Sequence, residues 1–189
     1  MRITAGQWKN HRLTSPKGTA TRPTTEKLRQ AVFNSLQTEV EASLFLDLFA
    51  GSGAMGLEAL SRGAQAATFV ENHPFALRAI RANIAKLGAA KQARLLALDI
   101  AKGLKLLASE NQRFTLIYAD PPYRHCDCAQ LVADLDNAHL LAQGGTLIIE
   151  TAHAHLNHAL HSLHLTRQRA LKETYLHYYS TSSSFNRLT

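Results

Sequence analysis

An aspartate, two prolines and a tyrosine follow one another in the loop Asp120-Pro121-Pro122-Tyr123. Because proline has no backbone N–H, the loop offers mainly hydrogen-bond acceptors, which are the Asp120 carboxylate and the carbonyl groups around Pro121. Acceptors can hold the exocyclic amine of a nucleobase with its lone pair directed at an electrophile. Tyr123 adds an aromatic face on which an unstacked base can lie. These four residues are the predicted catalytic residues of a site that acts on an amino group.

A glycine-rich turn begins at Asp47, where an apolar run gives way to a helical pattern. Glycines at such a strand-to-helix turn let the backbone approach a ligand closely. Glu71 and Asp99 end the next two predicted strands, where carboxylates can accept hydrogen bonds from ribose hydroxyls and from an adenine amino group. The strand ends together predict an adenosine pocket. Its predicted cofactor-binding residues are Asp47, Phe49, Ala50, Gly51, Ser52, Gly53, Glu71, Asn72, Asp99 and Ile100.

The same turn also matches the dinucleotide fingerprint G-x-G-x-x-G from Gly51 to Gly56, with Glu71 following at the usual distance. Taken alone, it would leave NAD and S-adenosylmethionine nearly equal as ligands. The Asp47 carboxylate suits the ammonium group of S-adenosylmethionine and would be unfavourable beside a pyrophosphate. The acceptor loop at Asp120 also suits methyl transfer to an amine. We therefore predict S-adenosylmethionine as the cofactor, with a nicotinamide oxidoreductase as an alternative.

Basic residues are concentrated at the amino-terminal end of the chain. The formal net charge is +7, and residues 1–30 hold seven basic residues against the single acidic residue Glu26. This asymmetry is typical of a segment that contacts phosphates, although a solubilising basic tail is the alternative. The predicted RNA-binding residues are Arg2, Lys9, Arg12, Lys17, Arg22, Thr24, Lys27 and Arg29.

Short apolar runs alternate with longer helical patterns from Ser43 onward, which predicts βαβ units around a mainly parallel sheet. Strands are predicted at 44–49, 67–71, 93–98, 115–119 and 146–150, and helices at 54–61, 74–87, 101–109 and 128–135. Two more strands, at 163–171 and 174–180, are predicted to pair as a hairpin. An earlier helix is expected to begin at Thr24 or Thr25 and to bury Leu36 and Val40 on one face. These elements predict a basic amino-terminal extension, residues 1–24, with a hairpin near Gly6, and an α/β domain, residues 25–189.

Histidines and cysteines are the candidate metal ligands of the chain. His155, His158, His161 and His164 recur at three-residue spacing and could share a helix face. His125, Cys126 and Cys128 crowd the loop after Tyr123. Neither group has the spacing of a structural zinc site, so we predict no metal.

Membrane and secretory classes are disfavoured by the sequence. No apolar run approaches the roughly 20 residues that span a bilayer, and the chain does not begin with an apolar signal segment. We expect a cytoplasmic monomer that makes no membrane contact.

The motifs from Asp47 to Gly53 and from Asp120 to Tyr123 resemble the cofactor and catalytic motifs of class I amino-methyltransferases. Together with the run Arg22-Pro23-Thr24-Thr25-Glu26-Lys27-Leu28-Arg29 and the stretch from Phe49 to Gly63, they resemble the bacterial 16S ribosomal RNA guanine-N2 methyltransferases. The resemblance extends from about Arg2 to Glu150. It implies a Rossmann-like fold with a seven-stranded sheet, and N2 of a guanine as the acceptor. It also implies 16S rRNA, within a small ribosomal subunit or its assembly intermediate, as the partner.

Two other functions remain open on the sequence. An adenine-N6 methyltransferase acting on DNA or RNA could use the same acceptor loop. A non-catalytic RNA-binding assembly factor could keep the pocket as a relic of its fold, although the intact Gly51, Gly53, Asp120 and Tyr123 argue against this.

Overall fold

The computed structural model describes residues 1–16, 26–122, 127–156, 159–171 and 174–181. The described residues form seven strands and five helices. The strands are β1 (Leu44–Leu48), β2 (Ala66–Glu71), β3 (Ala93–Ala97), β4 (Phe114–Ala119), β5 (Leu141–Thr151), β6 (Leu163–Leu171) and β7 (Thr174–Thr181). The helices are α1 (Glu26–Ser35), α2 (Ala54–Ser61), α3 (Pro74–Leu87), α4 (Ile100–Ser109) and α5 (Cys128–Asn137).

All seven strands belong to one sheet with the order β3-β2-β1-β4-β5-β7-β6. Strands β1 to β5 pair in parallel, whereas β7 is antiparallel to both β5 and β6. The predicted Rossmann-like fold, with a mostly parallel seven-stranded sheet and a carboxyl-terminal hairpin, is confirmed. Strand β1 is buried over four of its five residues, because helices cover both faces of a parallel sheet.

Two hydrophobic cores lie on the two faces of the sheet, since successive strand residues point in opposite directions. Phe45 and Leu116 contribute to the core that also contains α2 and α3 residues. Leu46 and Ile117 contribute to the other core, with residues of α4 and α5. Helix α2 packs closely on β2, because a Cβ atom at Gly56 would lie 2.3 Å from the Phe69 ring. This close contact fixes the helix that begins at the glycine-rich turn.

The amino-terminal segment packs against the domain instead of extending from it. Arg2 and Arg12 form an antiparallel bridge around a turn at Gly6, which has φ +80°. Ile3 and Leu13 are both buried in the core with α2 and α3. Residues 1–16 therefore contribute to the packing of the domain, while the proposed boundary at residue 24 lies outside the described residues.

Two local predictions differ from the structure. Helix α1 ends at Ser35, earlier than predicted, although Leu36 and Val40 are still buried by the turns that follow it. The spaced histidines do not share the helix face that their spacing allowed, because the described part of this stretch is a loop containing His155 and His161, and His164 belongs to β6. His158 lies outside the described residues, as do Thr24 and Thr25.

Within the described ranges, no helix is long and apolar enough to cross a membrane. In the same ranges, no group of three or more His, Cys, Asp or Glu side chains could hold a metal ion. Cys128 is buried, and its thiol donates to Thr151 Oγ1 at 3.5 Å, whereas His125 and Cys126 fall outside these ranges.

Candidate active site

The strand register brings the two sequence motifs to the same edge of the sheet. Leu48 pairs with Val70 on one side and with Ala119 on the other. Glu71 and Asp120 each follow these partners by one residue, so they flank the turn that leaves β1. Open α/β sheets bind ligands in the crevice outside the carboxyl ends of their strands, and this is where the motifs meet.

The turn after β1 has a left-handed backbone at three positions: Phe49 with φ 58°, Gly51 with φ 58° and Gly53 with φ 76°. Such a conformation is unfavourable for phenylalanine and is typical of functional loops. The Gly53 N–H donates to the Ala50 carbonyl at 2.7 Å, and the Ala50 N–H donates to the Val70 carbonyl at 3.2 Å. Among the described residues, a Cβ atom at Gly51 would meet only the Phe49 carbonyl oxygen, at 3.9 Å, so none of them fills the space beside Gly51.

Helix α2 points its amino-terminal end at this crevice. Its N-cap is Gly53, which has no side chain with which to cap the helix. The helix end carries a partial positive charge that favours an anionic group such as a carboxylate. The Asp47 carboxylate accepts the Gly56 N–H at 2.9 Å through Oδ2 and so fixes the first turn of the helix.

Three carboxylates make the crevice strongly acidic. Asp47 is buried, and burial raises its pKa well above the ordinary value for aspartate. The negative charges of Glu71 and Asp120 raise the pKa of Asp47 further. A cationic ligand would relieve this repulsion, whereas a diphosphate would add to it.

Glu71 is held in one orientation by backbone N–H groups. Its Oε2 accepts the Gly51 N–H at 2.8 Å, which ties the glycine-rich turn to β2. Its Oε1 accepts the Asn72 N–H at 2.9 Å and the His73 N–H at 2.8 Å. Because Oε1 already has two donors, Oε2 is the oxygen with capacity for a ligand hydroxyl. The exposed Asn72 lies directly beside it.

Asp99 lies at the same edge and forms the N-cap of α4. Its Oδ1 accepts the Lys102 N–H at 2.9 Å, and its Oδ2 lies 2.9 Å from Lys102 Nζ. The Lys102 side chain lowers the pKa of Asp99, so the carboxylate stays ionised. Ile100, the first residue of α4, is partly buried against the hydrophobic core that contains residues of α4 and α5.

The acceptor loop begins where β4 ends. Asp120 is half-buried, Pro121 is buried and Pro122 is exposed, while Tyr123 lies outside the described residues. Its assigned role as a stacking surface therefore remains a prediction. The charge of Asp120 acts on both Asp47 and Tyr118, which places the acceptor loop beside the acidic crevice.

A buried pair beneath this loop was not identified from the sequence. Tyr118 Oη donates a short hydrogen bond to the Glu150 carboxylate, and both residues are buried. Burial raises the pKa of Tyr118 well above its ordinary value, with the Glu150 and Asp120 charges adding to the effect. The only sequence signal was one polar residue near the end of each of two neighbouring apolar strands.

Asn83 is a second buried polar residue that the patterns did not identify. Its Nδ2 donates to the Ser52 carbonyl at 2.9 Å and to the Thr14 carbonyl at 3.0 Å. Its Oδ1 accepts the Thr14 N–H at 2.7 Å. Asn83 thus connects the amino-terminal segment to the glycine-rich turn, and its signal was a single amide on the apolar face of α3.

The predicted RNA-binding residues separate into three groups. Arg29 is fully buried, and its guanidinium donates to the Glu58 carboxylate and to the Arg2 carbonyl. The prediction that Arg29 contacts RNA is therefore wrong, because its charge is used inside the domain. Lys9, Arg12 and Lys27 are exposed; Arg2 is paired with Glu26 at 3.3 Å and stays largely accessible. Lys17, Arg22 and Thr24 lie outside the described residues.

The chain is similar to known proteins over most of its length. The model of the family described as conserved hypothetical protein 95 matches residues 1–180. The Escherichia coli (strain K12) ribosomal RNA small subunit methyltransferase D is 33% identical over 151 residues, covering 80% of this chain and 74% of that protein. The Bacillus subtilis (strain 168) protein YlbH, whose name assigns it provisionally to the rRNA methyltransferases, is 34% identical over 176 residues, or 93% of this chain and 94% of that protein.

A similar solved structure is that of a hypothetical protein from Thermus thermophilus. It has a TM-score of 0.83 and 31% identity, and the alignment covers 96% of this chain and 99% of that one.

Proposed function

The chain belongs to the protein family described as conserved hypothetical protein 95, and from this premise we propose that it is an S-adenosylmethionine-dependent methyltransferase of ribosomal RNA. The acceptor is the exocyclic N2 amino group of a guanine in 16S rRNA. A relative named as a ribosomal RNA small subunit methyltransferase, similar over 80% of this chain, supports this substrate class. The substrate form is the small ribosomal subunit or its assembly intermediate.

The residues of the crevice fit this cofactor, whose sulfonium group supplies an activated methyl group. The ammonium group would lie beside the buried Asp47, where the negative charges of Glu71 and Asp120 also favour a cationic group. The amino-terminal end of α2, where Gly53 provides no capping side chain, suits the methionine carboxylate. Oε2 of Glu71 would accept a ribose hydroxyl. Asp99 and Ile100 would face the adenine, and the turn from Phe49 to Gly53 would line the ligand.

The acceptor loop is the feature that supports methyl transfer to an amine. Asp120 and the Pro121 carbonyl would accept the two N–H groups of the guanine amine and hold its lone pair toward the methyl carbon. With the cofactor bound, the new N–C bond would form as the S–CH3 bond breaks and S-adenosylhomocysteine leaves. The nitrogen would then pass one proton to the half-buried Asp120 carboxylate, which is the acceptor that the loop provides. Most of the acceleration then comes from positioning, since the leaving group is already activated. Pro122 and Tyr123 would shape the entry for the base.

Two competing functions make different predictions. An adenine-N6 methyltransferase would use the same loop, so only the product distinguishes it. A nicotinamide enzyme would have to place a diphosphate beside Asp47, Glu71 and Asp120, where like charges oppose it.

The direct test uses small ribosomal subunits purified from cells that lack this protein. Incubation with methyl-labelled S-adenosylmethionine, followed by nucleoside mass spectrometry, is expected to show N2-methylguanosine at one position of 16S rRNA. N6-methyladenosine would instead support the adenine enzyme. Absence of label, with RNA binding intact, would support an assembly factor. Naked 16S rRNA in a parallel reaction distinguishes the two substrate forms.

A further inference from the structure

An exposed aromatic ring marks the start of α3, outside the residues assigned above. Phe75 is 47% exposed, and the only other large hydrophobic residue this exposed among those described is Leu165 in β6. Phe75 is not isolated among polar neighbours. The His73 ring centroid lies 5.6 Å from that of Phe75, and the Arg78 guanidinium lies 5.9 Å from the Phe75 centroid. Two groups that themselves favour stacking and anions therefore lie beside the ring.

The charged residues on the exposed face of α3 are all basic. Arg78, Arg81 and Lys86 are all exposed, and the helix contains no acidic residue. None of these three side chains forms an ion pair with a residue in the described ranges. Their charges are therefore available to an anionic partner. We call the group formed by His73, Phe75, Arg78, Arg81 and Lys86 the α3 surface.

The α3 surface is continuous with two functional regions of the molecule. At one end, Lys86 Nζ donates to the Arg12 carbonyl at 2.7 Å, next to the exposed basic part of the amino-terminal segment. At the other end, the His73 N–H donates to Glu71, which borders the acidic crevice. A chain of phosphates that follows these cations would therefore lead to the edge of the sheet where the target base must enter.

We propose that the α3 surface binds single-stranded ribosomal RNA adjacent to the target nucleotide, with one unpaired base stacked on Phe75 and phosphates on Arg78 and Arg81. This inference rests on the proposed function, because it takes RNA to be the substrate. Proteins that bind single-stranded nucleic acid combine cations along the backbone path with aromatic rings that stack on bases. The α3 surface has both, and a duplex, whose bases are already stacked, could use only its charges.

The test compares Phe75→Leu, which keeps apolar volume but loses the aromatic face, with Phe75→Tyr, which keeps the face. Fluorescence anisotropy would use a labelled, unstructured RNA of about 12 nucleotides and the duplex that it forms with its complement. For the single strand, Phe75→Leu is expected to weaken binding by about 5- to 20-fold, and Phe75→Tyr to bind like the wild type. Duplex binding should be the same for all three proteins. Calorimetry with S-adenosylhomocysteine should show unchanged affinity.

The cations are tested by the salt dependence of single-strand binding. Arg78→Gln and Arg81→Gln should each reduce the slope of log K against log salt by roughly 0.7. Leu165→Ala and Lys105→Gln are matched controls, since Leu165 is equally exposed on β6 and Lys105 is an exposed cation on α4. Neither control should change affinity or slope.

Any one of four results would overturn the proposal. The first is wild-type single-strand affinity in Phe75→Leu. The second is an equal loss of S-adenosylhomocysteine affinity, which would assign Phe75 to the cofactor pocket. The third is a slope change in Lys105→Gln as large as that in Arg78→Gln. If the Phe75→Leu protein methylates subunits and binds RNA as the wild type does, this inference alone is refuted. If RNA binding depends on Phe75 but the wild type does not methylate subunits, only the proposed function is refuted.

Discussion

The guanidinium of Arg29 donates to the carboxylate of Glu58 at 3.1 Å, and both side chains are fully buried. Glu58 also accepts the Thr4 N–H at 2.8 Å and the Ala5 N–H at 3.0 Å, and it pairs with Arg62 at 2.9 Å. One carboxylate therefore holds α1, α2 and the amino-terminal segment together.

Removing that carboxylate should be costly. Glu58→Leu leaves Arg29 buried without its partner, so we expect a loss of about 3 to 5 kcal/mol in the free energy of unfolding, measured with denaturant. Arg94→Ala is the control, since it breaks the exposed Arg94–Glu110 pair and should cost under about 1 kcal/mol. A cost for Glu58→Leu no larger than that of the control would contradict the role of this pair.

The buried pair changes how the basic amino terminus must be tested. Deleting the segment would remove Ile3 and Leu13 from the core, so a loss of RNA binding could reflect unfolding. Lys9→Gln and Arg12→Gln are better variants because both side chains are exposed. Each should reduce the salt dependence of RNA affinity by roughly 0.7 to 0.9 in slope, with unchanged melting temperature. The control is Arg113→Gln, an exposed position before β4, which should leave the slope as in the wild type. An unchanged slope in both Lys9→Gln and Arg12→Gln would exclude these two residues as phosphate contacts.

Asn83 provides a test of the link between this segment and the cofactor turn. Asn83→Leu removes the hydrogen bonds to Ser52 and Thr14 while keeping the side-chain volume similar. We expect a loss of roughly 1 to 3 kcal/mol in stability for the buried groups left unpaired. We also expect S-adenosylhomocysteine to bind about tenfold more weakly, because the Asn83 amide no longer holds the Ser52 carbonyl and with it the glycine-rich turn. Calorimetry below the melting transition separates the two effects, and an unchanged affinity would reduce Asn83 to a purely structural residue.

Asp47 predicts a pH dependence of both stability and cofactor affinity. Since burial raises its pKa in the folded state, the folded protein binds more protons than the unfolded chain between the ordinary and the raised pKa. Stability must then fall as pH rises through this window. Asp47→Asn keeps an acceptor for the Gly56 N–H. Its melting temperature should equal that of the wild type at acidic pH and exceed it at pH values above this window. Equal melting curves at every pH would contradict the raised pKa.

Cofactor binding should show the opposite trend with pH. The ammonium group of S-adenosylhomocysteine favours the ionised form of Asp47, so the affinity for this ligand should rise as pH increases through the same window. Asp47→Asn should bind S-adenosylhomocysteine weakly, and its affinity should not depend on pH in this window. A wild-type profile that is flat, or that falls with pH, would remove Asp47 from the ammonium site.

The fold and the site positions could be predicted because they depend on local patterns. Pro74 and Gly88 define the ends of α3, and Gly88 has φ +66° as a left-handed helix terminator requires. Polar residues that directly follow apolar strands, such as Glu71 and Asp120, must meet at one edge once the strands are parallel. These rules need only the neighbours of each residue along the chain.

What could not be predicted depends on contacts between distant residues. Arg29 was counted with the exposed cations because net charge does not reveal a partner 29 positions away, at Glu58. The spaced histidines suggested a helix, but strand pairing of β6 with β7 determines the conformation of His164. Asn83 and the Tyr118–Glu150 pair were missed for the same reason, since their partners lie on other elements.

The central claim is that Asp120 aligns an amine for methyl transfer, and the single-turnover methylation rate of Asp120 variants on small ribosomal subunits tests it most directly. Asp120→Ala should lower this rate by about 10² to 10³, while S-adenosylhomocysteine affinity and melting temperature stay near the wild type. The rate of Asp120→Asn should lie between those of the wild type and Asp120→Ala if geometry dominates. It should lie near the rate of Asp120→Ala if the negative charge is required. A wild-type rate in Asp120→Ala, or a loss explained entirely by unfolding, would contradict the account.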